Sequence, residues 1–133
     1  MIYLDANVFI YAAVSEKTRG ERCRSLIKGI SEGKENAATS ALTFDEVLWR
    51  VKKERGKDAA LLVGKAMLEM PNLTLLDVTG EILWEAYRLI RDYGLDPRDG
   101  IHAACCLKAG ATKMISEDSD FDKVREIKRE WLF

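Results

Sequence analysis

Short apolar runs alternate along this chain with longer segments of helical periodicity. Residues 2–5 (IYLD), 36–40 (NAATS), 73–78 (LTLLDV), 113–116 (KMIS) and 127–133 (IKREWLF) have the length and apolar content of strands. Between them, apolar positions recur every three or four residues. Cys23, Leu26, Ile27 and Ile30 predict a helix over 18–33 closed by Gly33, and Phe44, Val47, Leu48 and Val51 predict another over 44–55. Further helices are expected over 57–70, ended by Pro71, and over 80–94, closed by Gly94. Another begins at Asp96, which suits the N-cap, with Pro97 at the first helical position. DSDFDKV (118–124) reads as a short helical turn. Apolar strands alternating with helices predict a parallel sheet covered on both faces. In such sheets ligands collect beyond the carboxyl ends of the strands, where strand order reverses. Asp5 ends the first strand and Asp118 lies just past a later one, so a site is expected there.

The 133 residues are enough for one domain, 1–133, with a sizeable core. Lys and Arg number 21 against 22 Asp and Glu, so total charge does not mark a nucleic-acid binder, although local clusters could. Cys23, Cys105 and Cys106 are odd in number, and two are neighbours in an apolar stretch. They read as buried thiols in a reducing cytoplasmic setting, not as a disulfide framework. The opening apolar run lacks a basic leader and contains Asp5, so it does not read as a signal peptide. No apolar run of ~18 residues is present to span a membrane.

Each acid has a bland reading beside a functional one. Asp5 could start a turn, but a carboxylate at the mouth of a buried strand also suits chemistry. Asn7 could cap the helix that follows. Thr43-x-x-Glu46 has the form of a capping box, which would occupy Glu46 structurally. Asp99 falls in the first turn of its helix, where the macrodipole favours an anion. The next residues are nearly all small or apolar, however, so the acid is buried with that helix and needs a partner. Asp118, Asp120 and Asp122 could simply be a solvated loop. They are not an EF-hand loop, because Lys123 and Arg129 stand where Gly and Glu are required.

These stretches together resemble the PIN-domain ribonucleases, most of all the VapC toxins of VapBC toxin–antitoxin pairs. LDANVFI is similar to the first family motif, TSALTFDEV to the second, PRDGIHAA to the third and ISEDSDFDKV to the fourth. Ser116 stands where the fourth motif usually has Thr. The resemblance implies a three-layer α/β/α sandwich around a parallel sheet ordered 3-2-1-4-5. It also implies Mg²⁺- or Mn²⁺-dependent hydrolysis of RNA phosphodiesters, leaving a 5′-phosphate and a 3′-hydroxyl. Asp5, Asp99 and Asp118 would hold one or two ions, with Glu46 and Asp120 ligating directly or through water, or orienting the attacking water. A VapB-type antitoxin and a homodimer are the partners it implies, with the helices after residue 18 and through 57–70 as candidate surfaces.

Charge arithmetic points the same way. Several carboxylates in one pocket raise each other's pKa, a conflict that a hard divalent cation removes. One histidine and unsuitably spaced cysteines exclude a typical zinc site. His102, three residues after Asp99, reads first as a packed or hydrogen-bonded helix residue. The basic run RVKKERGK (50–57) leads away from the expected pocket and reads as a solvated face, or as a grip on RNA phosphates. Arg50, Lys53, Arg98 and Asn7 are the substrate-binding candidates, and Trp49 could stack on a base, meet a second subunit or enter the core. A haloacid-dehalogenase-type phosphatase would need an acid where Asn7 stands. A PIN nuclease of RNA processing without an antitoxin, and a non-catalytic RNA-binding module, are the alternatives; loss of acids would mark the latter.

Overall fold

Strand β1 (Ile2–Leu4) sends Ile2 and Leu4 into one apolar core and Tyr3 into another, because successive side chains leave a strand on opposite faces. Strand β2 (Ala37–Ser40) divides Ala37 from Ala38 in the same way, and β4 (Lys113–Ile115) divides Ile115 from Met114. The computed structural model describes residues 1–133. With β3 (Leu73–Leu76) and β5 (Arg129–Glu130), these strands form one parallel sheet ordered β3-β2-β1-β4-β5. Helices α1 (Ala6–Val14), α2 (Thr18–Ser31), α3 (Ala41–Arg55) and α4 (Lys57–Glu69) supply the core on one face. Helices α5 (Gly80–Tyr93) and α6 (Pro97–Lys108) supply the other. The three-layer α/β/α order and the strand order are those expected. No helix is long and apolar enough to cross a membrane.

Close packing sets the positions of the helices. A Cβ on Gly100 would come within 2.5 Å of Ile90 Cγ1 and 3.2 Å of the Ala86 carbonyl, so α6 rests directly on α5 there. A Cβ on Gly64 would lie 3.1 Å from Leu48, which places α4 against the apolar stripe of α3. Gly94 closes α5 in the left-handed region, at φ +67°, where glycine has no steric penalty. All three cysteines are free and buried, as expected. Burial raises the pKa of Cys23 and Cys105 to about 11 and that of Cys106 to about 12, which keeps them as thiols.

Several sequence readings need correction. Helix α3 starts at Ala41, not Phe44, because Ser40 is its cap and accepts the Thr43 N–H at 3.4 Å. Thr43 is therefore inside the first turn, and the Thr43–Glu46 capping box does not form. Asn7 is likewise no cap: Asp5 caps α1, accepting the Ala6 N–H at 2.7 Å. The last strand is only Arg129–Glu130, because the chain beyond it turns onto α1 and α2. Arg22 donates to the Leu132 carbonyl at 2.7 Å, and Trp131 packs edge-on to Tyr11. β3 is also shorter than expected, ending at Leu76.

Candidate active site

Strand order reverses at β1, which lies between β2 and β4, and the carboxyl ends of β1 and β4 lie side by side. Asp5 follows the first and Ser116 the second. Ser116 Oγ–H donates to Asp5 Oδ2 at 2.6 Å and accepts the Asp118 N–H at 3.0 Å. One buried hydroxyl thus ties the acid of the first strand to the loop that carries the acid of the fourth. Asp118 in turn accepts the Asp120 N–H at 2.9 Å and starts the 3-10 helix Ser119–Lys123.

A cleft of about 700 Å³ opens at this rim, lined by Asp5, Glu46, Asp99 and Asp118 together. They come from the end of β1, the loop after β4, the second turn of α3 and the first turn of α6. None of the four is paired with a lysine or arginine. Asp120 lies at the edge of the group, 3.5 Å from Lys123 Nζ. Crowding is visible at Asp99: burial first, then the charges of Asp118 and Asp5, push its carboxyl up to about 6.

Glu46, free of a capping role, reaches His102. Its Oε1 is 2.5 Å from His102 Nε2, and His102 Nδ1 is 2.9 Å from the Tyr3 hydroxyl. Tyr3 and His102 are buried, and burial raises the Tyr3 pKa so that the phenol stays neutral. For His102, burial alone would lower the pKa. The hydrogen bond to Glu46 and the charges of Asp5, Glu46 and Asp99 outweigh it and leave the pKa raised. His102 is a packed, hydrogen-bonded helix residue as expected, yet it also lies inside the acid group, with Nε2 at 3.7 Å from Asp5 Oδ1.

The tightest acid trio includes Asp96, which the sequence pattern places only at the cap of α6. Asp96, Asp99 and Asp120 have carboxylate oxygens within 4.8 Å of one another. Asp96 does occupy the N-cap position of α6 but makes no capping bond with its side chain. Asp5 and Asp118 are not in that trio, although both line the cleft with Asp99. The signal available in the sequence was spacing: one helical turn, Asp96 to Asp99, opposite an acid-rich loop.

Asn7, Arg50, Lys53 and Arg98 also line the cleft, and so does Trp49, which is 67% exposed and therefore not core. The basic run does not lead away from the pocket: its Arg50 and Lys53 are on the wall. The donor set at the rim is all carboxylate oxygen, Asp5, Glu46, Asp99 and Asp118 form no ion pair with lysine or arginine, and burial together with neighbouring charge raises the pKa of Asp99. That chemistry fits a hard divalent cation such as Mg²⁺ or Mn²⁺.

Known proteins resemble the chain in sequence and in fold. The PIN domain family profile matches residues 2–127. Ribonuclease VapC7 of Mycobacterium tuberculosis is 26% identical over 133 residues, covering 96% of this chain and 88% of its own. VapC20 of the same organism, described as a Sarcin-Ricin loop cleaving toxin, superimposes with a TM-score of 0.77 at 15% identity, covering 94% and 95% of the two chains. The DNA-bound VapBC complex of Salmonella typhimurium contains a chain with a TM-score of 0.76 at 16% identity, covering 99% and 98%. At such identities the two structures show a shared fold.

Proposed function

The chain belongs to the PIN-domain family, and from that premise we propose that it is a divalent-metal-dependent endoribonuclease of the VapC toxin type. The observation that carries the reading is the gathering of Asp5, Glu46, Asp99 and Asp118 around one cleft with no lysine or arginine paired to them. A non-catalytic PIN-like module would not need to keep those charges together.

Asp5, Asp99 and Asp118 would hold the cation, with Glu46 and the Asp96–Asp120 edge beside them. When bound, Mg²⁺ or Mn²⁺ supplies an acidified water and positive charge against the phosphoryl oxygens. The remaining work belongs to the protein. Ser116 fixes the Asp5 carboxylate and the Asp118 backbone relative to each other. His102 holds one oxygen of Glu46, so that this side chain lies on the cleft wall in a set orientation and can accept a proton from an attacking water. Asn7, Arg50, Lys53 and Arg98 bind the RNA along the walls, the cations taking phosphates. Trp49 offers an exposed ring for a base.

The VapC relatives and the VapBC structural neighbour support a toxin whose partner is a VapB-type antitoxin; a homodimer, with residues 1–133 as one domain, is part of the same proposal. The test is cleavage of RNA by the purified chain in Mg²⁺, in EDTA, and with Asp99→Asn. Cleavage in Mg²⁺ alone, giving 5′-phosphate and 3′-hydroxyl ends, is the expected result. Equal cleavage in EDTA, or by Asp99→Asn, would refute it.

A further inference from the structure

Past α3 the cleft continues into a second groove of about 380 Å³, and Arg50 and Glu54 line both. Lys17, Arg19, Arg50 and Arg55 face Glu16 and Glu54 there, so the lining is cationic on balance. Two of its arginines are already engaged: Arg50 Nε donates to Glu54 at 2.7 Å, and Arg55 donates to the Val14 carbonyl at 2.8 Å. Arg19 is different. Its guanidinium makes neither a hydrogen bond nor an ion pair, and its Nε is shut away from solvent without a partner.

The position of Arg19 is nevertheless set. Its guanidinium carbon stands 4.3 Å over the centre of the Tyr11 ring. That ring is itself fixed, because its hydroxyl donates to Glu117 and Trp131 packs edge-on against it. A guanidinium stacked on an aromatic face loses little freedom on binding and keeps its terminal N–H groups for an oxyanion. The two terminal nitrogens match two oxygens of a phosphate.

Resting on the ribonuclease reading, we propose that Arg19, held on the Tyr11 ring, binds a backbone phosphate of the RNA strand where it leaves the acid cleft. A polyanion with its scissile phosphate at Asp5, Asp99 and Asp118 has this groove as its continuation. The acids of the cleft repel such a strand, and an unpaired cation at its exit offsets that repulsion.

The test is anisotropy of a short fluorescein-labelled single-stranded RNA with the full chain in EDTA, across a salt series, together with cleavage in Mg²⁺. Arg19→Met, which keeps the apolar stem, should weaken binding roughly three- to tenfold at low salt and make the slope of log K against log salt shallower by about 0.7. Tyr11→Leu, which removes the platform, should do the same. In cleavage the loss should fall on KM and not on kcat. Wild-type affinity and slope in Arg19→Met would overturn the proposal. Unchanged RNA binding with weakened binding of a polyglutamate peptide would also overturn it, in favour of a protein partner. If the wild-type chain cleaves and only the slope result fails, this inference falls alone. If the chain neither cleaves nor binds RNA, the ribonuclease reading falls with it.

Discussion

His102 Nε2 lies 2.5 Å from Glu46 Oε1, a contact between residues 56 apart in sequence that joins α6 to α3 across the top of the sheet. The other ring nitrogen meets the hydroxyl of Tyr3, so one buried imidazole links the core strand to the cleft. His102→Ala would leave both partners unsatisfied and a cavity between them. The expected cost is about 2–4 kcal/mol in urea denaturation, with a fall in kcat. His102→Gln can still place a donor near Glu46 and should recover part of the rate. Equal kcat in the wild type and His102→Ala would show that Glu46 needs no such support.

Ser116 makes a second link, between Asp5 and the Asp118 backbone. Ser116→Ala removes both bonds and should lower stability by about 1–2 kcal/mol and reduce cleavage. Ser116→Thr keeps the hydroxyl and should restore most of both. Thermal melts and initial rates of the two variants compare them directly.

Asp99 gives a pH dependence with a definite sign. Its carboxyl ionises at about 6 in the native chain, against an ordinary value of 3.8. Between those values the native state binds more protons than the unfolded one, so metal-free stability falls as pH rises through the interval. Asp99 is partly exposed, and with solvent screening the loss is about 1 kcal/mol. Asp99→Asn lacks the loss and should melt higher than the wild type in EDTA above about pH 6. Metal binding runs the other way: the melting-temperature gain from Mg²⁺ should be small near pH 5 and larger near pH 7.5, because the ion displaces the proton.

Gly100 tests whether the Asp99 position depends on helix packing. Gly100→Ala would drive a methyl into Ile90 and against the Ala86 carbonyl, pushing the start of α6 away from α5. A loss of about 1–3 kcal/mol is expected, with a fall in activity beyond that of a surface alanine substitution. Chemical denaturation and cleavage rates report the two effects separately.

The layered fold was legible in the sequence because short apolar strands alternate with amphipathic helices, and each strand could be buried in only one kind of sheet. Asp5 and Asp118 were legible for a related reason, as acids at or just past the ends of buried strands, whereas Asp99, which the start of a helix already explains, was singled out by the resemblance of its motif. Glu46 was harder to read. Thr39, Ser40 and Thr43 are all hydroxyl residues able to start a helix, and local pattern does not choose among them. The choice of Ser40 is tertiary, since Thr39 donates to the Leu4 carbonyl at 2.8 Å and lies 2.7 Å from the Thr43 hydroxyl. Asp96 was hidden by a sufficient local explanation. The spacing makes His102 a neighbour of Asp99, but nothing in the sequence points to its partner on another helix.

The gathering of acids from separate elements around a divalent cation is tested most directly by Mn²⁺ titration, following the free ion by electron paramagnetic resonance near pH 7.5. The wild-type chain should take up at least one Mn²⁺, displaceable by Mg²⁺, and Asp99→Asn should bind about tenfold or more weakly. A wild-type chain that leaves Mn²⁺ free at millimolar concentration, or an Asp99→Asn chain that binds it equally well, would contradict the account.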